Sequence, residues 1–154
     1  MTKPACEVIR LLQGKTLCTA ESCTGGMIGA ALTAVSGASN VYKGGIVSYT
    51  NEVKNRLLGV NAALLEKEGA VSAPVAGAMA VGARKTMNAD IAVSVTGLAG
   101  PGGDEYGNPV GTVFIGYADE KTTVVRRFLF AGDREAVRTQ AAEEALKLIL
   151  EYNQ

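Results

Sequence analysis

The segment "TLCTAESCTGG", residues 16–26, contains the change from strand to helix that decides the class of fold. Residues 16–20 predict a short strand, whereas the Ala-rich, apolar stretch 24–35 predicts a buried helix. Ser22 and Cys23 lie in the turn between these two elements, and both are possible nucleophiles. Because the sequence contains no histidine, a nucleophile in this turn needs a different base.

Outward from this segment, strands alternate with helices before a late hairpin. Further strands are predicted over residues 45–49, 91–95, 110–117 and 122–130. Further helices are predicted over residues 4–13, 50–59, 61–68, 72–87 and from Asp133 onward. This order predicts an α/β fold, a three-layer α/β/α sandwich on a mixed, mostly parallel sheet of about five strands. We expect a single domain over residues 1–154.

The composition excludes several classes of protein and partner. Lys plus Arg equals Asp plus Glu, at 15 each, so we expect neither nucleic acid nor a membrane as a partner. No apolar run reaches about 18 residues and no signal-like segment opens the sequence, so we expect a cytoplasmic protein. With no histidine and no paired-cysteine spacing, we predict neither a metal site nor a cofactor.

Three polar segments follow the first three predicted strands. They are "ESCTGG" at 21–26, "YTNEVK" at 49–54 and "TGLAGPGG" at 96–103. In open α/β sheets, ligands gather beyond the carboxyl ends of the strands. We therefore expect these segments to form one composite site.

The first segment offers backbone donors at the predicted start of a helix. Amides near Thr24, Gly25 and Gly26 could hold an oxyanion or a phosphate. The alternative is that Ser22 and Thr24 only cap the helix and that the glycines only permit packing.

The second segment offers a base. Lysine is the usual substitute for histidine beside a serine nucleophile, and the positive end of a helix would lower the pKa of Lys54. Tyr49 could relay a proton or hold the lysine in place. The alternative is a solvated lysine on a surface helix. Lys43, a rival base, precedes its strand and is expected at the opposite end of the sheet.

Two further groups favour a bound anion. Thr96 and Gly97 open a long Gly-rich loop whose amides could form an anion-binding nest. Arg134 and Arg138 lie at the start of the last predicted helix, where the helix dipole opposes a cation. A phosphate or carboxylate in the site would explain this placement, with Arg138 favoured as the contact. Pairing with nearby carboxylates is the alternative.

Six segments together resemble the CinA C-terminal domain family in their order and spacing. They are "TAESCTGG", "GGIVSYTNEVKNRLLGV", "GAVSAPVAGAMAVGA", "VSVTGLAGPGG", "PVGTVFIGYA" and "FAGDREAVRTQAAEEAL". The resemblance extends from about residue 7 to residue 150, and "AESCTGG" and "TGLAGP" are its most specific parts.

The resemblance implies a fold similar to anticodon-binding domains and the activity of a nicotinamide-nucleotide amidase. Such an enzyme converts nicotinamide mononucleotide (NMN) to nicotinate mononucleotide and ammonia through a serine–lysine pair, here at the positions of Ser22 and Lys54. Larger members carry an additional molybdopterin-binding-like domain, whose pyrophosphatase activity is not expected of this sequence. We further expect a homo-oligomer.

Combining the resemblance with the residue analysis gives a catalytic set of Ser22, Lys54 and Tyr49. The expected substrate-binding set comprises Glu21, Thr24, Gly25, Gly26, Thr96, Gly97, Arg134 and Arg138. Two other hypotheses remain open at this point. One is a non-catalytic nucleotide-binding module that uses the same cleft, and the other is an amidase that uses Cys23.

Overall fold

A computed structural model describes residues 2–154 and contains one five-stranded sheet. The strands are β1 (Leu17–Glu21), β2 (Tyr42–Val47), β3 (Ile91–Gly97), β4 (Thr112–Ala118) and β5 (Thr123–Leu129). Their order across the sheet is β2-β1-β3-β4-β5. β1 is parallel to β2 and β3, whereas β4 is antiparallel to both β3 and β5. Only β4 therefore opposes the other strands, which confirms the predicted mixed, mostly parallel sheet.

Six α-helices and a short 3₁₀ helix accompany the sheet. They are α1 (Lys3–Leu11), α2 (Met27–Thr33), the 3₁₀ helix (Ala38–Asn40), α3 (Asn51–Leu58), α4 (Ala62–Glu68), α5 (Ala73–Met87) and α6 (Arg134–Glu151). α1, α2 and α6 pack against one another, as do α3, α4 and α5.

Each of these two helix groups packs on its own hydrophobic core. Leu17 and Val93 belong to the core that includes α1, α2 and α6, whereas their neighbours Cys18 and Ala92 belong to the core with α3 and α5. Because successive strand residues point to opposite faces of a sheet, the two helix groups cover opposite faces. The predicted three-layer α/β/α sandwich is thereby confirmed.

The first turn differs from its prediction. α2 begins at Met27 rather than at residue 24, because Gly25 and Gly26 adopt positive φ angles of 58° and 105°. These angles lie outside the helical region and are readily adopted only by glycine. Residues 22–26 therefore form a tight turn that separates the end of β1 from the start of the helix.

The second strand is also displaced relative to its prediction. β2 runs from Tyr42 to Val47, so Lys43 lies within it and Tyr49 lies beyond it. The register between β1 and β2 shifts at this point, since Leu17 pairs with Tyr42 and Cys18 pairs with Gly44. Lys43 is the additional residue, and its Nζ donates to the carbonyl of Asn88 at 3.2 Å, at the amino end of the sheet. The prediction that Lys43 lies opposite the candidate site is correct.

The parallel register brings the three polar segments to one edge of the sheet. Glu21, the last residue of β1, pairs with Val47 of β2 and with Val95 of β3. The chain therefore leaves all three strands at the same end, where their following loops meet. None of the helices described within residues 2–154 has the length and apolar character required to cross a membrane.

Candidate active site

A lysine amino group contacts a serine hydroxyl at this edge of the sheet. Lys54 Nζ lies 2.9 Å from Ser22 Oγ, 2.7 Å from the carbonyl oxygen of Ser48 and 3.4 Å from the carbonyl oxygen of Tyr49. Lys54 is only 1% exposed, and Ser22 is 7% exposed. The structure thus brings the two residues of the predicted pair into direct contact in a buried setting.

Local sequence explains why the lysine points inward. Thr50 caps α3, since its Oγ1 accepts a hydrogen bond from the amide of Val53, and so fixes where the helix begins. Lys54 and Leu58 are four residues apart on α3 and are its buried residues. Because residues at this spacing share one face of a helix, Leu58 secures the face that directs Lys54 towards the sheet.

Burial changes the protonation of the lysine. Desolvation lowers the pKa of Lys54 to about 8, and within the described chain Lys54 forms no salt bridge that would offset this effect. The two carbonyl oxygens can only accept hydrogen bonds, so they take the two N–H groups of a neutral amine. As an ammonium, Lys54 Nζ also donates to Ser22 Oγ at 2.9 Å. Once neutral, it keeps a lone pair that can accept the Ser22 hydroxyl proton, as a general base does beside a nucleophile.

A cavity of about 280 Å³ opens onto this pair. Its lining combines the Ser22 turn, the end of β3 and the Gly-rich loop that follows. The lining residues are Ser22, Cys23, Tyr49, Lys54, Ala70, Val71, Thr96, Gly97, Leu98, Ala99, Gly100, Gly102 and Arg134. Lys54 and Arg134 are its only basic residues, and it contains no carboxylate.

Glu21 organises the turn rather than facing the cavity. Its carboxylate accepts hydrogen bonds from Thr24 Oγ1 at 2.7 Å and from the amides of Gly26, Ile28 and Gly29 at 3.0–3.2 Å. Glu21 is 2% exposed. Of the amides expected to be available to a ligand, that of Gly26 is therefore already paired inside the protein, as are the amides of Ile28 and Gly29 in α2.

The backbone amides without a hydrogen-bond acceptor lie earlier in the turn than Gly25. The amide of Gly25 donates to the carbonyl of Ser22 at 3.1 Å. Within residues 2–154, the amides of Cys23 and Thr24 have no protein acceptor. The Cys23 side chain is 5% exposed, and burial raises the pKa of its thiol to about 11, which disfavours the reactive thiolate.

The two predicted arginines take different positions. Arg134 lines the cavity, where it donates to the carbonyl of Gly100 at 2.6 Å and to the Tyr49 hydroxyl at 3.2 Å. Arg138 does not line the cavity, and its Nε donates to the carbonyl of Cys23 at 2.9 Å. The structure therefore reverses our preference between them, since Arg134 and not Arg138 faces the cavity.

Tyr49 holds the lysine, but not through its phenol. The side chain is 59% exposed and its hydroxyl contacts Arg134, whereas the backbone carbonyl of Tyr49 contacts Lys54 Nζ. Tyr49 lines the cavity together with Ser22 and Lys54, and the side-chain partner of its hydroxyl is Arg134.

Thr96 and Gly97 line the cavity as expected from the third segment. Thr96 Oγ1 donates to the carbonyl of Ala70 at 2.8 Å, so its hydroxyl fastens the loop before α5 to the end of β3. The sequence reasoning missed Ser48, whose carbonyl holds Lys54 at 2.7 Å, and Val71, which lines the cavity. A backbone carbonyl leaves no signal in a sequence, and an isolated valine has no distinguishing pattern.

A second cavity, of about 410 Å³, lies at the opposite end of the sheet. Its carboxylates serve the backbone: Asp90 accepts from Thr16, and Asp119 accepts from the amides of Lys121 and Thr122. Since these groups stabilise turns, we regard the smaller cavity at the Ser22–Lys54 pair as the candidate site. Among residues 2–154, no three His, Cys, Asp or Glu side chains come together in a way that could hold a metal ion.

The fold and the site define an α/β protein with a buried serine–lysine pair at the carboxyl edge of its sheet. The model of the CinA C-terminal domain family matches residues 2–153, and the chain belongs to this family.

Curated relatives include a CinA-like protein of Geobacter sulfurreducens, 52% identical over 134 residues, which cover 87% of this chain and 32% of the relative. Another, from Citrifermentans bemidjiense, is 51% identical over 139 residues, which cover 90% of this chain and 34% of the relative. The chain thus spans about a third of the length of these curated relatives.

Solved structures agree with the fold. A CinA superfamily protein of Escherichia coli superimposes with a TM-score of 0.94 at 36% identity, covering 97% of this chain and 88% of that one. The competence/damage inducible protein CihA of Agrobacterium tumefaciens gives a TM-score of 0.92 at 36% identity, covering 100% and 98%.

The lowered pKa of Lys54 predicts a pH-dependent stability. Between the folded pKa of about 8 and the unfolded value of about 10.4, the unfolded chain binds more protons than the folded chain. Wild-type stability relative to Lys54→Met should therefore rise with pH over this interval, by at most about 1.4 kcal/mol per pH unit. Urea unfolding of both proteins at pH 7, 8, 9 and 10 measures the difference. A difference that stays constant from pH 7 to 10 would contradict the lowered pKa.

Proposed function

We propose that this chain hydrolyses the carboxamide of NMN to nicotinate mononucleotide and ammonia, with Ser22 as nucleophile and Lys54 as base. The observation that supports this most strongly is the 2.9 Å contact between Lys54 Nζ and Ser22 Oγ in a buried position. A lysine has the required lone pair only when it is neutral, and a pKa of about 8 leaves about a tenth of the lysine neutral at pH 7 and about half at pH 8.

In the first step, Ser22 Oγ attacks the carboxamide carbon while its proton passes to Lys54 Nζ. The new ammonium keeps its hydrogen bonds to the carbonyls of Ser48 and Tyr49, which stabilise the added charge. The carbonyl oxygen of the substrate becomes an oxyanion. We assign its stabilisation to the amide of Cys23, which lines the cavity, because the amides of Gly25 and Gly26 already have acceptors.

In the second step, the tetrahedral intermediate collapses and the C–N bond breaks. Lys54 returns its proton to the leaving nitrogen, so that ammonia departs and a Ser22 acyl ester remains. Lys54, neutral again, takes a proton from water as the water attacks the ester. The acid product leaves and the serine recovers its proton, so every proton transfer passes through the same amino group.

The lining of the cavity supports a nucleotide substrate of this kind. Val71, Leu98 and Ala99 provide apolar surface for an aromatic ring next to Ser22. The basic residues that line the cavity, Lys54 and Arg134, suit a ligand whose phosphate makes it anionic overall. We assign the phosphate contact to Arg134 and place Tyr49 beside it, at the phosphate end of the site.

Two other hypotheses receive less support. A non-catalytic binding module would gain nothing from a lysine buried against a serine hydroxyl. Burial of the lysine charge lowers the stability of the fold. A Cys23 amidase would require a thiolate, whereas the pKa of this thiol is raised to about 11. The homo-oligomeric state and the cytoplasmic location remain predictions.

Removal of the nucleophile provides the first test. With purified protein and NMN, Ser22→Ala should lose several orders of magnitude in ammonia release, because no other group can form the acyl ester. Cys23→Ser is the matched control, with a neighbouring residue of similar size changed, and should retain most of the activity. Coupled measurement of ammonia reports both rates.

Each outcome of this comparison separates the hypotheses. Wild-type protein that binds NMN in calorimetry but releases no ammonia would support the binding module. An inactive Cys23→Ser together with an active Ser22→Ala would assign the chemistry to the cysteine.

The position of Arg134 predicts which substrates are used. A charge-assisted hydrogen bond contributes about 1.5–3 kcal/mol, so Arg134→Met should lower kcat/KM on NMN by about ten- to a hundredfold. The same substitution should have little effect on the riboside, which has no phosphate. Steady-state kinetics of wild type and Arg134→Met on both substrates measures the difference, with Arg127→Met as a control at an exposed position on β5. Equal losses on the two substrates would show that Arg134 does not contact the phosphate.

A further inference from the structure

The Gly-rich loop after β3 supplies part of the lining of the candidate site, but its own backbone has few anchors. Within the described chain, residues 99–103 take part in no backbone–backbone hydrogen bond. The one side chain that holds them is Arg134, which donates to the carbonyl of Gly100. Three of these five residues are glycines, which restrict the backbone least. The position of this part of the lining therefore depends on the segment that follows it.

That segment, residues 104–108, is a turn closed around one carboxylate. Asp104 Oδ1 accepts hydrogen bonds from the amides of Tyr106 and Asn108, at 3.0 and 2.9 Å. Asp104 Oδ2 accepts a third hydrogen bond from Asn108 Nδ2 at 2.8 Å. An aspartate that binds backbone amides further along the chain is a common way to fix a turn. The turn therefore holds its shape through its own side chains.

The turn is attached to the end of α4 and to the loop between α4 and α5. Tyr106 Oη donates to the carbonyl of Glu66 at 2.6 Å, and the tyrosine ring lies so close to Gly69 that no Cβ would fit there. Asn108 Nδ2 donates to the carbonyl of Val71 at 3.0 Å. Val71 is buried and lines the cavity. Asn108 therefore connects the Gly-rich loop to a second segment of the cavity lining.

The Ser22–Lys54 pair is held by other groups. Lys54 Nζ donates to the carbonyl of Ser48 at 2.7 Å, and the amide of Ser22 donates to the carbonyl of Val95 at 2.9 Å. In the described chain, residues 104–108 make no hydrogen bond to any of these four residues. A change in the turn should therefore disturb the lining of the cavity and leave the reacting groups in place.

We infer that Asn108 is a positioning residue for the aromatic ring of the substrate, acting through Val71 rather than on the substrate. This inference rests on the proposed amidase activity. The amide nitrogen of Asn108 has two N–H groups, and it uses them on Asp104 within the turn and on the Val71 carbonyl outside it. The apolar surface formed by Val71, Leu98 and Ala99 is thereby in place before the ring binds, so binding does not have to order it.

This role predicts a particular kinetic signature. Asn108→Ala should raise KM and leave kcat nearly unchanged, because contacts with the ring are equal in the bound substrate and in the transition state. The rise should be about two- to tenfold, the size of one hydrogen bond. The factor should be the same for NMN, for its riboside and for binding of nicotinate mononucleotide, since all three carry the same ring. The pH dependence of kcat/KM should keep its shape, because the Ser22–Lys54 contact is unchanged.

The experiment is a double-mutant cycle of Asn108→Ala and Val71→Ala, with Asn153→Ala as the control. Asn153 Nδ2 also donates to a backbone carbonyl, that of Ile149 at 2.7 Å, but at the opposite end of the sheet. The control should keep wild-type kinetics. In the Val71→Ala background, the effect of Asn108→Ala on KM should become much smaller, because the side chain that Asn108 positions has been truncated.

Several results would overturn the inference. An unchanged KM in Asn108→Ala, or effects of the two substitutions that simply multiply, would show that Asn108 does not act through Val71. A lowered kcat with a shifted pH profile would indicate general disruption of the site. If Asn108→Ala does not fold, as judged by thermal unfolding, Asp104→Asn decides, since its new amide places a donor against Asn108 Nδ2, and a rise confined to KM is expected. Failure of the proposed function is distinguishable, because the wild-type protein would then release no ammonia.

Discussion

The buried amino group of Lys54 is the constraint on which the rest of the site depends. It is surrounded by two backbone carbonyls and the Ser22 hydroxyl, at 2.7–3.4 Å, and has no carboxylate partner in the described chain. A carboxylate there would stabilise the ammonium and raise the pKa, which would oppose the role of base that we propose for Lys54. Burial of the Lys54 amino group without such a partner costs the free energy of desolvating its charge. Packing elsewhere in the fold must offset this cost for the protein to remain stable.

The carboxylate of Glu21, next to Ser22 in the sequence, is also buried, but several hydrogen-bond donors surround it. Glu21 is the last residue of β1, and its carboxylate accepts one hydroxyl and three amide hydrogen bonds. These bonds hold the residues after β1 in a tight turn and leave Ser22 facing Lys54. Glu21 from the end of β1 and Arg138 from α6 thus fix the backbone around Ser22, although neither side chain lines the Ser22–Lys54 cavity. Two charged residues expected to bind substrate are instead part of the scaffold that shapes the site.

Much of the fold could be predicted because its signals are local. Apolar runs, capping residues and the alternation of strands with helices were sufficient for the three-layer sandwich and for the meeting of three polar segments at one edge. Errors arose where tertiary contacts decide the outcome. The sequence predicts that α2 begins at residue 24, whereas it begins at Met27. The prediction is wrong because the carboxylate of Glu21, in the preceding strand, binds the amides of the turn. Lys43 was excluded from β2 because a shift in strand register cannot be read from one sequence.

The site was predictable in its side chains but less so in its backbone. The absence of histidine, the turn at Ser22 and the capped helix carrying Lys54 identified the two residues that the structure brings together. The sequence could not separate Arg134 from Arg138, because both lie near the start of α6 and only the direction of each side chain places Arg134 on the cavity. The carbonyls of Ser48 and Tyr49, which hold the amino group, leave no trace in residue identity.

In the proposed mechanism a neutral Lys54 accepts the proton of Ser22, and the pH dependence of kcat/KM on NMN is the measurement that examines this step. For the free enzyme, kcat/KM should rise tenfold per pH unit below an apparent pKa near 8 and level off above it. Lys54→Arg should be nearly inactive across the range, because arginine stays protonated. A flat profile from pH 6 to 9 in the wild type, or an active Lys54→Arg with an unchanged profile, would contradict the account.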